Sequence, residues 1–230
     1  MCGRYTITVT EEELMLRFSI YGDRRIQYEP RYNIAPGQLL PAIINDGQHN
    51  RLGPLKWGLV PNWAKDEKVG FQMINARAET LLDKPAFRVP LLRKRCMIPA
   101  DGFYDWQQLG RGKEKQPMRI VMKSRSLFAM AGLYDMWVAE DGRKVSSCTI
   151  ITTSSNPVVA PIHDRMPVIL QPEHEQLWLD RDMHDVAALQ KVLVPFPAAD
   201  MQAYPVSPQV GKVANDNPSL IEPCGMDTLF

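Results

Sequence analysis

Many short β-prone runs succeed one another in this chain, and helices do not alternate with them in the regular order that a parallel sheet needs. Tyr5-Thr6-Ile7-Thr8-Val9 alternates and is rich in β-branched residues. Residues 39–44 and 52–59 read as two strands joined across Asp46-Gly47. Residues 96–100, 103–106, 118–122, 127–134, 147–152, 166–170 and 203–206 continue the pattern. Pro36-Gly37 is a strong turn signal closing the run Arg31-Tyr32-Asn33-Ile34. Residues 113–116 read as a polar hairpin loop, and residues 156–162 as a short turn or helix leading to His163.

Helices are fewer. Thr10 with Glu13 forms a capping box that opens a short helix. Residues 173–179 and 185–193 are amphipathic. Residues 75–95 are the longest helical prospect, with Pro85 and Pro90 expected to break it and Asn75 expected at its start. The pattern predicts an α+β fold with a mostly antiparallel, barrel-like sheet and peripheral helices. At 230 residues we expect one domain over residues 1–230, with a polar, partly mobile tail after about residue 211.

Charge narrows the function. The 27 basic residues nearly balance the 26 acidic ones, so any nucleic-acid binding must rest on a local patch. Lys84, Arg88, Arg93, Lys94 and Arg95 form one candidate patch free of acidic residues, although a solvated helix face is the expected reading. No apolar stretch is long enough to span a membrane and no secretory signal opens the chain, so a cytoplasmic protein is expected. The cysteines Cys2, Cys96, Cys148 and Cys224 are widely spaced, which argues against a zinc site or a disulfide framework. Cys96 and Cys148 sit in apolar runs and are expected to be buried thiols.

Cys2 carries distinctive chemistry. Aminopeptidases remove Met1 readily before a small residue, leaving an α-amine and a thiol on adjacent carbons. Their reference pKa values lie near ~8 and ~8.5, so both keep reactive fractions at neutral pH. Such a 1,2-aminothiol condenses with an aldehyde through nitrogen and then closes a five-membered thiazolidine through sulfur. The same terminus would also suit an amidohydrolase or peptidase, with His163 as base and Asn75 as oxyanion donor. A third reading is a non-covalent module for modified bases in DNA.

Three further clusters bear polar chemistry. Ile162-His163-Asp164-Arg165-Met166-Pro167 sets a proton-transfer residue two positions from an anion-binding one. Ile74-Asn75-Ala76-Arg77-Ala78-Glu79-Thr80 combines an amide with an arginine. In Gly102-Phe103-Tyr104-Asp105-Trp106, strand alternation puts Asp105 on the face of Phe103, away from Tyr104 and Trp106.

These stretches resemble, in order, the SOS response-associated peptidase (SRAP) domain family. Met1-Cys2-Gly3-Arg4-Tyr5, Arg31 to Gly37, Trp57-Gly58-Leu59-Val60-Pro61-Asn62-Trp63, Ile74 to Thr80, Arg95 to Trp106, Ala131-Gly132-Leu133-Tyr134, Ile162 to Pro167 and Val206-Ser207 carry the likeness. The resemblance implies covalent capture of abasic sites in single-stranded DNA by the mature Cys2 terminus, with self-catalysed loss of Met1. It implies no cofactor and no metal. The expected partners are abasic single-stranded DNA and replication-fork proteins, with the protein itself a monomer.

By the same resemblance, Asn75 holds a sugar oxygen, Asp105 opens the sugar and shuttles protons, and His163 is a second proton donor. Arg4, Arg77 and Arg165 grip phosphates, Trp63 and Trp106 stack on bases, and Asn33 and Pro36 shape the pocket floor. Asp105 stands where the family usually has Glu, and its carboxylate falls roughly 1.3–1.5 Å short by ordinary bond lengths.

Overall fold

The structure is a computed structural model that describes residues 2–21, 27–110 and 112–224; Met1 lies outside them. In chain order the elements are β1 (Arg4–Ile7), α1 (Glu11–Arg17), β2 (Arg31–Ile34), β3 (Leu39–Asn45), β4 (Asn50–Trp57), β5 (Asn75–Arg77), α2 (Pro85–Arg93), β6 (Arg95–Ala100), β7 (Gly102–Gln108), β8 (Lys115–Met122), β9 (Phe128–Val138), β10 (Lys144–Ser154), β11 (Arg165–Pro167), β12 (Ile169–Leu170), α3 (Pro172–Leu179), α4 (Val186–Lys191) and β13 (Met201–Pro205). Short 3-10 turns fill several connections.

The strands form two sheets, and the fold is α+β with a barrel-like core, as the strand pattern predicts. One sheet runs β13-β8-β7-β1-β2. In the other, β10, β4, β3, β6 and β9 pair in turn, and β9 pairs again with β10, closing a five-stranded barrel. Closure removes the open edges that long β-prone runs would otherwise present. Apolar side chains fill the core, and Leu40, Ile43, Trp57, Cys96, Ile98, Met130, Cys148 and Ile150 are all buried in one cluster. Among the described residues no helix is long and apolar enough to cross a membrane.

Two features of the fold set up the site. First, β5 continues along β10 where β4 leaves it. Ser147 and Cys148 pair with Lys56 and Trp57, and Ile150 to Thr152 pair in parallel with Asn75 to Arg77. The chain between must bulge outward, and its turns meet backbone to backbone at Gly58 and Gly70. A Cβ on Gly58 would lie 2.6 Å from the Gly70 carbonyl oxygen, and Gly58 has φ +125°. Only glycine satisfies both demands.

Second, β1 is pinned to the β6–β7 corner by a buried carboxylate. Asp101 accepts hydrogen bonds from the hydroxyl of Thr6, from the Thr8 N–H at 2.7 Å and from Arg119 Nη2 at 3.1 Å. The Thr10–Glu13 capping box then starts α1.

The expected helix over residues 75–95 needs correction. Asn75–Arg77 is a strand, a single 3-10 turn follows, and α2 begins only at Pro85, with Pro90 inside it. Arg95 is not solvated either. It is buried, and its guanidinium donates to the carbonyls of Trp178, Leu91 and Asp180.

Candidate functional site

β1 and β7 are antiparallel, with Arg4 opposite Tyr104 and Tyr5 opposite Phe103. Extended past β1, that register sets Gly3, the neighbour of Cys2, opposite Asp105. Cys2 is fully buried in the main core rather than frayed. Asn75 meets it from β5: Nδ2 donates to the Cys2 carbonyl oxygen at 2.9 Å. The other amide atom, Oδ1, is buried and has no hydrogen-bond partner among the described residues.

β7 divides its side chains between two cores. Phe103 joins the main cluster, whereas Tyr104 and Trp106 pack with Val206, Val210 and Leu220. Asp105 is 4% exposed, and its Oδ1 accepts the Trp106 N–H at 2.9 Å. Burial and the neighbouring Asp105 carboxylate push the Cys2 thiol up to about 12. The thiol is therefore neutral at physiological pH.

His163 follows a turn organised by Asn156, whose Oδ1 accepts the N–H groups of Val158 and Val159, each at 3.1 Å. Gln107 Nε2 donates to the Pro161 carbonyl at 3.3 Å, which ties this turn to the end of β7. His163 Nδ1 lies 3.0 Å from the Arg165 N–H and 2.7 Å from Asp164 Oδ1. A neutral ring accepts the first contact and carries its proton on Nε2; a protonated ring donates to the second.

The arginines differ in their engagement. Arg165 forms a two-pronged pair with Glu79 at 2.8 and 2.9 Å and donates to the Thr152 carbonyl at 2.6 Å. That pairing holds the Glu79 carboxyl below its usual range. Arg4 donates to Asn33 Oδ1 at 3.2 Å and to the Val210 carbonyl at 2.7 Å, and lies over the Trp106 ring at 5.9 Å. Arg77 is exposed at the end of β5, on the Asn75 side by strand alternation. Of the three, Arg77 is exposed, whereas Arg4 and Arg165 are half-buried.

Asn33 is buried on β2, and Pro36 sits half-buried in the turn after it, where Gln38 N–H bonds the Ala35 carbonyl at 3.2 Å. Trp63 is 60% exposed on the outward bulge. It lines a groove of ≈ 710 Å³ with Gln72, Met73, Asn75, Lys84, Pro85, Ala86 and Phe87. None of these carries a negative charge. The sequence reading missed Lys84 and Phe87 as groove residues, although Lys84 begins the acid-free basic run. Among the described residues no three His, Cys, Asp or Glu side chains gather as a metal site would need.

Cys2 is thus buried with the Asn75 amide on its carbonyl oxygen and the Asp105 carboxylate near its thiol. The sequence model of the SOS response associated peptidase (SRAP) family matches residues 1–213, and the chain belongs to that family. Among its relatives is YoqW of Bacillus subtilis strain 168, an abasic site processing protein. It is 52% identical over 225 residues, covering 96% of this chain and 99% of the relative. Mouse HMCES, also an abasic site processing protein, is 30% identical over 274 residues, covering 98% of this chain and 77% of its own. A crystal structure of a Bacteroides thetaiotaomicron protein superposes with a TM-score of 0.88 at 28% identity, over 97% of this chain and 100% of that one.

Proposed function

We propose that this protein captures abasic sites in single-stranded DNA as a covalent thiazolidine on Cys2. The observation that carries the reading is the complete burial of Cys2 between Asn75 and Asp105. The names of the relatives support it.

The chemistry starts with hydrolysis of the Met1–Cys2 peptide, which consumes one water and frees the α-amine. The amine nitrogen attacks the aldehyde carbon of the ring-opened sugar, forming a C–N bond and a carbinolamine. Loss of water gives an iminium. Cys2 Sγ then adds to that carbon while its proton passes to a neighbouring base. Aldehyde plus aminothiol thus yields thiazolidine plus one water.

Each group has a task in this sequence. A thiol held neutral by burial leaves the first attack to nitrogen. Asp105 and His163 move the protons, and the Asn75 amide holds the Cys2 carbonyl while Oδ1 accepts a sugar hydroxyl. Burial excludes water from the iminium. A thiol peptidase would instead need a thiolate at the first step, which the apolar surroundings of Cys2 disfavour.

Comparing Cys2→Ser with wild type tests the ring closure. The wild-type adduct should survive denaturation without borohydride. The serine adduct should need borohydride to trap its imine. Equal survival of both adducts would contradict thiazolidine formation.

A further inference from the structure

The segment beyond Gly211 lies against the site. The Asn33 amide donates to the carbonyls of Val210 at 3.1 Å, Lys212 at 3.1 Å and Asn215 at 2.8 Å. Asp216 holds the other end of the same strand. Its Oδ1 accepts the Tyr32 N–H at 2.5 Å and its Oδ2 accepts from Arg31 Nε. Arg31 Nη2 donates at 3.0 Å to Gln38 Oε1, which also accepts the Ala35 N–H at 3.1 Å. A continuous chain of bonds therefore runs from Asp216 to the turn that carries Pro36. Leu220, fully buried, seals the segment in place.

The family match ends at residue 213, so Asn215, Asp216 and Leu220 lie beyond it. β2 ends its sheet, with β1 on one side only. An edge strand leaves backbone N–H groups to be satisfied by something else. Asp216 takes up one of them and an arginine together. The ion pair is partly exposed, at 32% for Arg31 and 22% for Asp216. Pairs of that exposure add little to global stability. Their removal leaves the domain folded and lets the local arrangement relax.

We propose that Asp216 is a positioning residue for DNA capture, holding Asn33 and, through Arg31 and Gln38, the Pro36 turn in the shape that receives the strand. This rests on the proposed capture of abasic DNA at Cys2 and on the expectation that Asn33 and Pro36 shape the floor of that pocket.

The test is fluorescence anisotropy with a single-stranded oligonucleotide carrying a tetrahydrofuran abasic analogue, which has no aldehyde to crosslink. Asp216→Ala should weaken binding about two- to fivefold, the loss expected from one partly exposed ion pair. Asp216→Asn, which keeps an acceptor for Tyr32, should fall between that variant and wild type. With a true abasic oligonucleotide at saturation, the crosslinking rate of Asp216→Ala should stay within about twofold of wild type, since nothing at Cys2 changes. Unchanged affinity, or a lower saturated rate with unchanged affinity, overturns the proposal. Wild-type protein that binds the analogue but never crosslinks defeats the covalent reading and leaves the Asp216 comparison intact. Wild-type protein that does not bind the analogue but crosslinks true abasic DNA overturns the Asp216 proposal and leaves the covalent reading intact.

Discussion

The amide of Asn75 donates to the carbonyl oxygen of Cys2 at 2.9 Å, joining a barrel strand to the residue proposed to do the chemistry. This bond fixes where the Cys2 nitrogen and sulfur stand relative to an incoming aldehyde. Replacing Asn75 with Ala or Asp removes the donor in both cases. Losing one buried hydrogen bond of about 1–1.5 kcal/mol should slow crosslink formation roughly tenfold. Single-turnover gels with each variant provide the check, and wild-type rates in Asn75→Asp would exclude the donor role.

Asp105 offers a second handle. Its carboxylate is one methylene shorter than the Glu that the family resemblance leads one to expect, and Oδ1 is engaged by the Trp106 N–H. Proton transfer requires heavy atoms within about 3.2 Å. Asp105→Glu should therefore speed crosslink formation, release, or both. Timing the two directions separately decides the matter, and identical rates in both would remove the reach argument.

Alkaline pH should destabilise the fold through the buried thiols. Burial raises the thiols of Cys2, Cys96 and Cys148, with Cys2 pushed up to about 12. Below the unfolded value of about 8.5 neither state ionises, so the stability is fully present. As pH rises from about 8.5 toward 12, the unfolded chain loses protons that the fold keeps, and stability falls. Cys2 alone accounts for about 2 kcal/mol between pH 7.5 and 10 by that linkage. Urea midpoints at the two pH values should thus drop less in Cys2→Ala than in wild type. Equal drops would show that the Cys2 thiol is not held neutral.

Trp63 should matter to DNA and not to folding. It is 60% exposed and lines the groove that also contains Asn75. Stacking on one base is worth about 1–3 kcal/mol, so Trp63→Ala should weaken single-strand binding by that amount at constant thermal stability. A large fall in melting temperature with unchanged binding would assign Trp63 a structural role.

Much of this architecture was legible because strand alternation and capping are local signals. The Thr10–Glu13 box and the hairpin across Asp46-Gly47 read directly from neighbouring residues. Asn75 did not, because an asparagine before a polar run also looks like a helix cap. Only its pairing with Ile150, far along the chain, makes it a strand residue. Arg95 looked solvated for the same reason. The three carbonyls that receive it belong to segments near and distant alike, and no local pattern announces them. The residues after Gly211 read as a tail because they are polar and turn-rich, yet Lys212, Asn215 and Asp216 bond Arg31, Tyr32 and Asn33.

Gly58 is a purely structural test of how the bulge carrying Trp63 is built. Gly58→Ala places a Cβ against the Gly70 backbone and strains a positive φ. A cost of about 2–4 kcal/mol is expected from the two effects together. Denaturant unfolding measures it, and a loss under about 0.5 kcal/mol would mean that the two backbones can part without penalty.

The most direct measurement of the central claim is a denaturing gel of the purified protein with single-stranded DNA bearing one abasic site, beside Cys2→Ala. Wild type should give a slower band that persists through denaturation, and Cys2→Ala should give none. A band of equal intensity in Cys2→Ala, or no band from wild-type protein shown by mass spectrometry to have lost Met1, would contradict covalent capture through Cys2.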